Sequence, residues 1–375
     1  ALGRLHYVRR EEHASWTADD WQEAILASLR TAVQRRLVAD VPVGVLLSGG
    51  LDSSLLVALL VEAGQSGLST FSIGFDGAGG ESGDEFKYSD LIARHFGTDH
   101  HRLHIPVSDF APAIGHAVAA MPEPMASHDV TAFFLLSKAV SEHVKVVQSG
   151  QGADEVFAGY AYHQPARDVP RENALEAFTA AFADRGHGEM SEVLEPEWLC
   201  AADVSRRRLA QELNAPGADT ALDAVLRLDA HVLMPDDPVK RVDSMTMAWG
   251  LEARVPFLDQ DLVALAAACP PGLKMGQGGK GILKDVGRTI LPAAVIDRPK
   301  GYFPVPALRH LDEPFLTMVH DALHAPEAKQ RRLFRADYIE GLLGTPNERF
   351  TSAKGNILWH LAVLEMWLQR HGVGG

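Results

Sequence analysis

From Asp19 to Leu37 apolar side chains return at every fourth position, Trp21, Ile25, Leu29, Val33 and Leu37, and this spacing predicts an amphipathic helix with one buried stripe. The period then shortens. Residues 41–47, VPVGVLL, make a short apolar run rich in β-branched side chains, and they stop at Ser-Gly-Gly. LDSSLLVALLVEAG follows, with Leu55, Leu56, Leu59 and Leu60 on one helical face, so the predicted order is strand, glycine turn, helix. LSTFSIGF (68–75) predicts a second strand, a polar glycine-rich loop spans 76–84, and EFKYSDLIARHFG (85–97) predicts the next helix. After a helical stretch near 131–143, VKVVQSG (144–150) predicts a third strand that again ends at Ser-Gly.

Strands alternating with helices imply an α/β fold, a parallel sheet with helices on both faces, whose ligand sites lie at the carboxyl ends of the strands. All three glycine-bearing turns fall at such ends. Beyond about residue 165 the strand signals fade, and LEAFTAAFA, TALDAVLRLDAHVLM, DLVALAAA and ILWHLAVLEMWLQRH predict a mostly helical C-terminal part. The expected division is 19–165 for the α/β domain and 166–375 for the helical part. Residues 1–18 open on Ala1 without clear periodicity and read as a linker from an upstream partner.

Composition narrows the function. With 46% hydrophobic and 22% charged residues the chain is ordinary globular protein, and a formal charge of −14 argues against nucleic acid as the main partner. No run approaches the roughly 18 apolar residues of a membrane span, so no membrane partner is expected. Cys200 and Cys269 form neither a disulfide framework nor a zinc motif, and a reducing cytoplasm is the expected compartment.

The most specific signal is Ser48-Gly49-Gly50-Leu51-Asp52-Ser53-Ser54. Two glycines after a strand let backbone amides approach an anion, and the following helix start adds its dipole. Ser48, Ser53 and Ser54 offer hydroxyl donors to phosphate oxygens, whereas an ionised Asp52 meets phosphate only through a cation such as Mg²⁺. A GxxxxGK[ST] loop would need a lysine that is absent here, so pyrophosphate is the expected leaving group. A bland reading, a helix-capping turn, fits an isolated Ser-Gly-Gly better than it fits this complete segment.

GVLLSGGLDSS, TFSIGF, SGQGADEVFAGY, MAWGLEARVPFLD and RPKGYF occur here in the order they have in class B, glutamine-hydrolysing asparagine synthetases. Residues 19–370 resemble the C-terminal synthetase domain of that family, which has the ATP pyrophosphatase fold of the adenine nucleotide alpha hydrolase kind. The resemblance implies ATP and Mg²⁺ as cofactors, a small-molecule carboxylate as substrate, and ammonia from a glutaminase domain or a separate subunit. It also allows a homodimer, and it makes residues 1–18 the tether to a missing glutaminase domain.

The same resemblance assigns roles. Leu47 and Ile73 would pack near adenine, Ser149 and Gly150 would touch the nucleotide, and Asp52, Asp154 and Glu155 would serve Mg²⁺ and pyrophosphate. Lys300 would stabilise charge on the α-phosphate. Lys280 and Lys284 lie in a helical pattern and rank below it as surface residues, while Arg254 is divided between a structural ion pair and a substrate role. The implied reaction turns a carboxylate into an acyl-adenylate, from which ammonia displaces AMP.

Two features depart from the family's pattern. Gln151 stands where these synthetases carry Glu, and glutamine cannot act as a general base. The segment Glu123-Pro124-Met125-Ala126-Ser127-His128-Asp129 also differs from the usual lining. With FSIGFDGAGGESGDEFKYSDLIARHFGT and VVQSGQGADEVFAGY, these features are similar to the N-acetylglutaminylglutamine amidotransferases, which makes a dipeptide α-carboxylate the expected acceptor. Aspartate as acceptor, ring closure of the β-lactam synthetase kind and a non-catalytic nucleotide-binding module remain as alternatives. His128 reads as a loop histidine that could orient a substrate, and His100 and His101 read as the lead into a strand.

Overall fold

A computed structural model describes residues 6–75, 86–298, 306–351 and 355–374. Its centre is β1 (Val43–Leu46), four residues whose β-branched and small side chains suit a strand covered on both faces. β2 (Ser69–Phe75) lies parallel to it, with Val45 opposite Thr70 and Leu46 opposite Phe71. β3 (Asp99–Ile105) runs along β2 from Ser69 opposite Asp99 to Phe75 opposite Ile105. β4 (Val146–Gln148) takes the other side of β1, and β5 (Glu252–Arg254) follows it, giving the order β3-β2-β1-β4-β5. All pairings are parallel.

The helices cover both faces, as the alternation of periods predicts. α1 (Ala18–Arg35) starts from Thr17, whose Oγ1 accepts from the Asp20 amide at 3.2 Å while the Asp20 carboxylate accepts from the Thr17 amide at 2.7 Å, a capping box. Its predicted stripe, Trp21, Ile25, Leu29 and Val33, is buried against Leu55, Leu56, Leu59 and Leu60 of α2 (Leu51–Glu62). α3 (Phe86–Phe96) follows β2. α4 (Phe110–Ala120) and α5 (Val130–Ser141) close the opposite face, where Phe71, Phe110, Ile114, Phe134 and Val147 share a core with Met245 and Trp359 from the C-terminal half. Among the described residues no helix is long and apolar enough to cross a membrane.

Three details depart from the sequence expectations. β3 has the polar sequence DHHRLHI, an edge strand, and His100 and His101 stand within it, with His100 Nδ1 2.9 Å from Thr70 Oγ1. β5 belongs to the C-terminal half, so the sheet runs across the expected boundary at residue 165. The stretch read as a tether is also docked: Tyr7 is fully buried, its amide donates to Gly217 O at 2.8 Å, and Arg9 Nη2 lies 2.9 Å from Asp223. These contacts fasten the start of the described chain to a third core built on Phe178, Leu222, Val225 and Met275.

Candidate active site

Where β1 stops, the Leu47 amide donates to Phe71 O at 2.7 Å and the Leu47 carbonyl accepts from Ser72 Oγ. Leu47 therefore offers the cavity beyond it mainly an apolar side chain. Ser48 Oγ lies 3.1 Å from Ser53 Oγ and accepts from the Gly50 amide at 3.3 Å, which folds the loop back on itself. Gly49 has φ +71°, and a Cβ there would stand 2.4 Å from the Ser89 amide of α3. α2 then starts with Gly50 as its N-cap and no side chain capping it. An uncapped helix start leaves amide groups and the positive end of the dipole for an anion.

The end of β4 meets this turn closely. The Ser149 amide donates to Arg254 O at 2.9 Å, and a Cβ on Gly150 would lie 3.1 Å from both Asp52 Cβ and the Ser53 amide. Together the strand ends enclose a cavity of about 370 Å³. It is lined by Leu47, Ser48, Gly50, Asp52 and Ser53 from the first turn, Ile73 from β2, and Ser149, Gly150, Gln151 and Asp154 from the β4 end. Gly49 and Ser54 are not on this wall: Gly49 packs under α3, and Ser54 is fully buried behind the turn.

The cation that joins the two carboxylates at the cavity wall is Lys280, which the sequence places below Lys300. Lys280 is buried, 8% exposed, with Nζ 2.7 Å from Asp52 Oδ2 and 2.9 Å from Asp154 Oδ1. Burial alone would push its ammonium down, but Asp154 and Asp52 outweigh burial and hold it above the usual lysine range. Lys280 is no surface residue of a helix. It is the N-cap of the helix Gly281–Arg288, in the left-handed region at φ 55°. Space for it is cut by Gly159, where a Cβ would stand 2.0 Å from Asp154 Oδ1 and 2.3 Å from Lys280 Cε. The available signal was the glycine run around it, Gly276, Gly278, Gly279 and Gly281, which marks close backbone packing.

Glu155 does not share in this cluster. It is 2% exposed, accepts from Tyr160 OH at 2.8 Å and is absent from the cavity wall. Burial and the neighbouring Asp154 push its carboxyl up to about 7, against the Tyr160 hydrogen bond. The expected three-carboxylate set is thus reduced to Asp52 and Asp154, and the reason is the one-residue step along the helix Ala153–Val156, which turns Glu155 inward. Behind it, the Tyr160 amide donates to His163 Nδ1 at 3.2 Å, so His163 Nε2 carries its proton toward Asp229 Oδ2 at 2.6 Å. This buried bridge, joined by Tyr162 OH at 3.1 Å from the same oxygen, fixes the segment that follows Gly159.

Other expected residues separate. Arg254 pairs with Glu252 at 2.8 Å and donates to the carbonyls of Arg36 and Val38, a structural role that ties β5 to the end of α1. Lys284 lines the cavity, its Nζ donating to Gln277 O at 2.6 Å. Cys269 is buried, its thiol pushed up to about 11, and Cys200 is exposed. Lys300 lies outside the described residues, although Arg298, two positions earlier, reaches the cavity with its guanidinium 4.4 Å from the Tyr88 ring centroid. Asp129, the last residue of the unusual segment 123–129, lines the cavity as well, and so does Phe133 of α5, which was not singled out from sequence.

Similarity to known proteins agrees with this geometry. The chain is 30% identical over 348 residues to a Mycobacterium bovis protein assigned as a glutamine-hydrolysing asparagine synthetase, covering 81% of this chain and 51% of that one. It is 28% identical over 344 residues to asparagine synthetase (glutamine-hydrolysing) 1 of Bacillus subtilis, covering 83% and 54%. It is 29% identical over 385 residues to the nodule asparagine synthetase of Pisum sativum, covering 92% and 54%. The chain therefore spans about half the length of these relatives. A U34-tRNA thiolase of Methanococcus maripaludis overlays at a TM-score of 0.30 and 15% identity, covering 64% of this chain and 82% of that one, a likeness too slight to weigh. The model of the asparagine synthase family matches residues 24–369, nearly the whole sequence. On that match, and with the serine-glycine turns and paired carboxylates gathered at one cavity, the chain belongs to the asparagine synthase family.

Proposed function

We propose that this chain activates a substrate carboxylate with ATP and passes the acyl group to ammonia. The observation that carries this reading is the Asp52–Lys280–Asp154 cluster at the wall of a cavity framed by two serine-glycine turns. Two carboxylates drawn together by a single buried cation make an electrostatic site that a polyphosphate can enter, because phosphate oxygens are partners for Lys280 and for the uncapped start of α2. Leu47 and Ile73 supply an apolar wall for the base, and Ser48, Ser53 and Ser149 supply hydroxyl donors.

The donor set fits Mg²⁺. Asp52 and Asp154 are hard oxygen ligands, and among the described residues no group of three or more His, Cys, Asp or Glu forms a metal cage of its own. One or two carboxylates combined with nucleotide phosphates is the usual manner of holding this ion. Bound there, it would neutralise charge on the departing pyrophosphate. The protein's own contribution is orientation and fixed charge. Lys280 supplies fixed positive charge for the α-phosphate oxygens, the role that the family resemblance gives to Lys300, as the carboxylate oxygen bonds to phosphorus and the bond to pyrophosphate breaks. Ammonia then bonds to the acyl carbon, AMP departs with the electron pair of the broken C–O bond, and a proton leaves the nitrogen.

The acceptor in this reading is the α-carboxylate of N-acetylglutaminylglutamine, and the ammonia comes from a glutaminase domain or subunit. Gln151 on the cavity wall supports a neutral amide partner, because its side chain both donates and accepts. Exchange of labelled pyrophosphate into ATP tests the proposal, with aspartate, free glutamate and N-acylated dipeptides as acceptors. Exchange should require one of these acceptors, and ammonia should convert it to an amide with release of AMP. Lys280→Met should lower exchange by roughly 10²–10³-fold. Exchange without any need for ammonia in product formation would point instead to internal ring closure, and its complete absence would leave only a nucleotide-binding module.

A further inference from the structure

One face of α5 reaches the cavity through Asp129, Phe133 and Leu136, at helical spacing. Behind that face stands Arg241, 8% exposed, its Nη1 3.3 Å from Asp129 Oδ1 and 2.8 Å from Asp237 Oδ1. Ser127 Oγ donates to the same Asp129 Oδ1 at 2.5 Å, and the guanidinium lies 5.7 Å from the Phe133 ring centroid. Ser127 and Arg241 thus meet the same Asp129 oxygen, which fixes the carboxylate against the cavity wall. Burial pushes Asp129 up, but Arg241, His128 and Ser127 outweigh burial and keep it below the usual carboxylate range.

Arg241 divides its guanidinium between Asp129 and Asp237, with His128 near the first and Lys240 near the second, so Asp129 stays an ionised acceptor on the cavity wall. As a device for stability alone this is poor, since buried ion pairs contribute little over apolar side chains of similar volume. At a cavity wall it does something else: it favours a ligand that brings an N–H donor and penalises one that brings a second carboxylate.

We infer that Asp129 determines acceptor specificity, with Arg241 as its positioning residue: the carboxylate takes an N–H donor of the acceptor, amide or ammonium, and repels an acceptor that presents a carboxylate there. This rests on the adenylating reading above and adds the acceptor's chemistry to it. Pyrophosphate exchange tests it in wild type and Asp129→Asn with three probes: N-acetylglutaminylglutamine for an amide donor, aspartate for an ammonium, and N-acetylglutamylglutamate for added carboxylates. Asp129→Asn should raise the KM of the accepted N–H probe by about tenfold or more, leave the KM for ATP unchanged, and relax discrimination against the acidic dipeptide by about tenfold. Asp129→Glu should restore that discrimination. Arg241→Met should give the same shift, and the double variant should be no worse than Asp129→Asn alone, because the arginine acts through the carboxylate.

Discrimination between the amide and acidic dipeptides is a ratio within one preparation, so partial unfolding does not move it. An unchanged ratio in a variant that still exchanges overturns the inference and leaves adenylation standing. Absence of acceptor-supported exchange in the wild type overturns the adenylating reading itself.

Discussion

Asp154 and Glu155 are adjacent, yet one meets Lys280 at the cavity and the other meets Tyr160 in the interior. The difference has a consequence for stability. The Glu155 carboxyl rises from its ordinary value near 4.5 to about 7 in the folded chain, so the folded state binds its proton more tightly than the unfolded state. Stability from that proton is complete below about pH 4.5 and is lost as pH climbs through 7, a difference of ~3 kcal/mol. Glu155→Gln keeps the shape without the titration, so the nucleotide-free variant should lose that decline between pH about 4.5 and 7 in urea unfolding. A decline as steep as the wild type's would show that Glu155 is not its source. At this scale Asp52 and Asp154 were legible because their motif is local, a carboxylate just after a glycine turn. Lys280 was not, because its burial is created by Gly159 and by two carboxylates far away in sequence.

The turn after β1 is held by a neighbouring helix as well as by its own hydrogen bonds. Gly49 combines φ +71° with a Cβ position 2.4 Å from the Ser89 amide and 2.6 Å from the Tyr88 carbonyl carbon, so β1 and α3 close on each other only where a side chain is missing. Gly49→Ala should destabilise the protein by more than about 2 kcal/mol and weaken ATP binding with it. Unfolding curves and nucleotide titration of the same variant check both, and near-native stability would contradict the packing argument. β1, β2 and β4 and the helices between them were readable because a buried strand and a one-sided helix impose different periods on apolar residues. β3 lacked that mark because an edge strand with polar DHHRLHI carries no apolar run. β5 lacked it because three residues are too few to show any period.

In the molecule as a whole, two of the three cores pack against the sheet and the third lies in the helical part, and the halves on either side of residue 165 exchange elements. β5 completes the sheet from the C-terminal side, and Tyr7 completes the helical core from the N-terminal side. Tyr7 is fully buried, and among the described residues its hydroxyl has no hydrogen-bond partner. Tyr7→Phe should therefore raise stability by about 1 kcal/mol, since it removes an unmet desolvation cost, whereas Tyr7→Ala should lower it by about 3–5 kcal/mol by opening a cavity. Thermal melts of the two variants moving in the same direction would refute this account of the segment.

The lysine between Asp52 and Asp154 comes from the C-terminal half of the chain, so the two carboxylates keep their shared cation only while that half stays folded back onto the sheet.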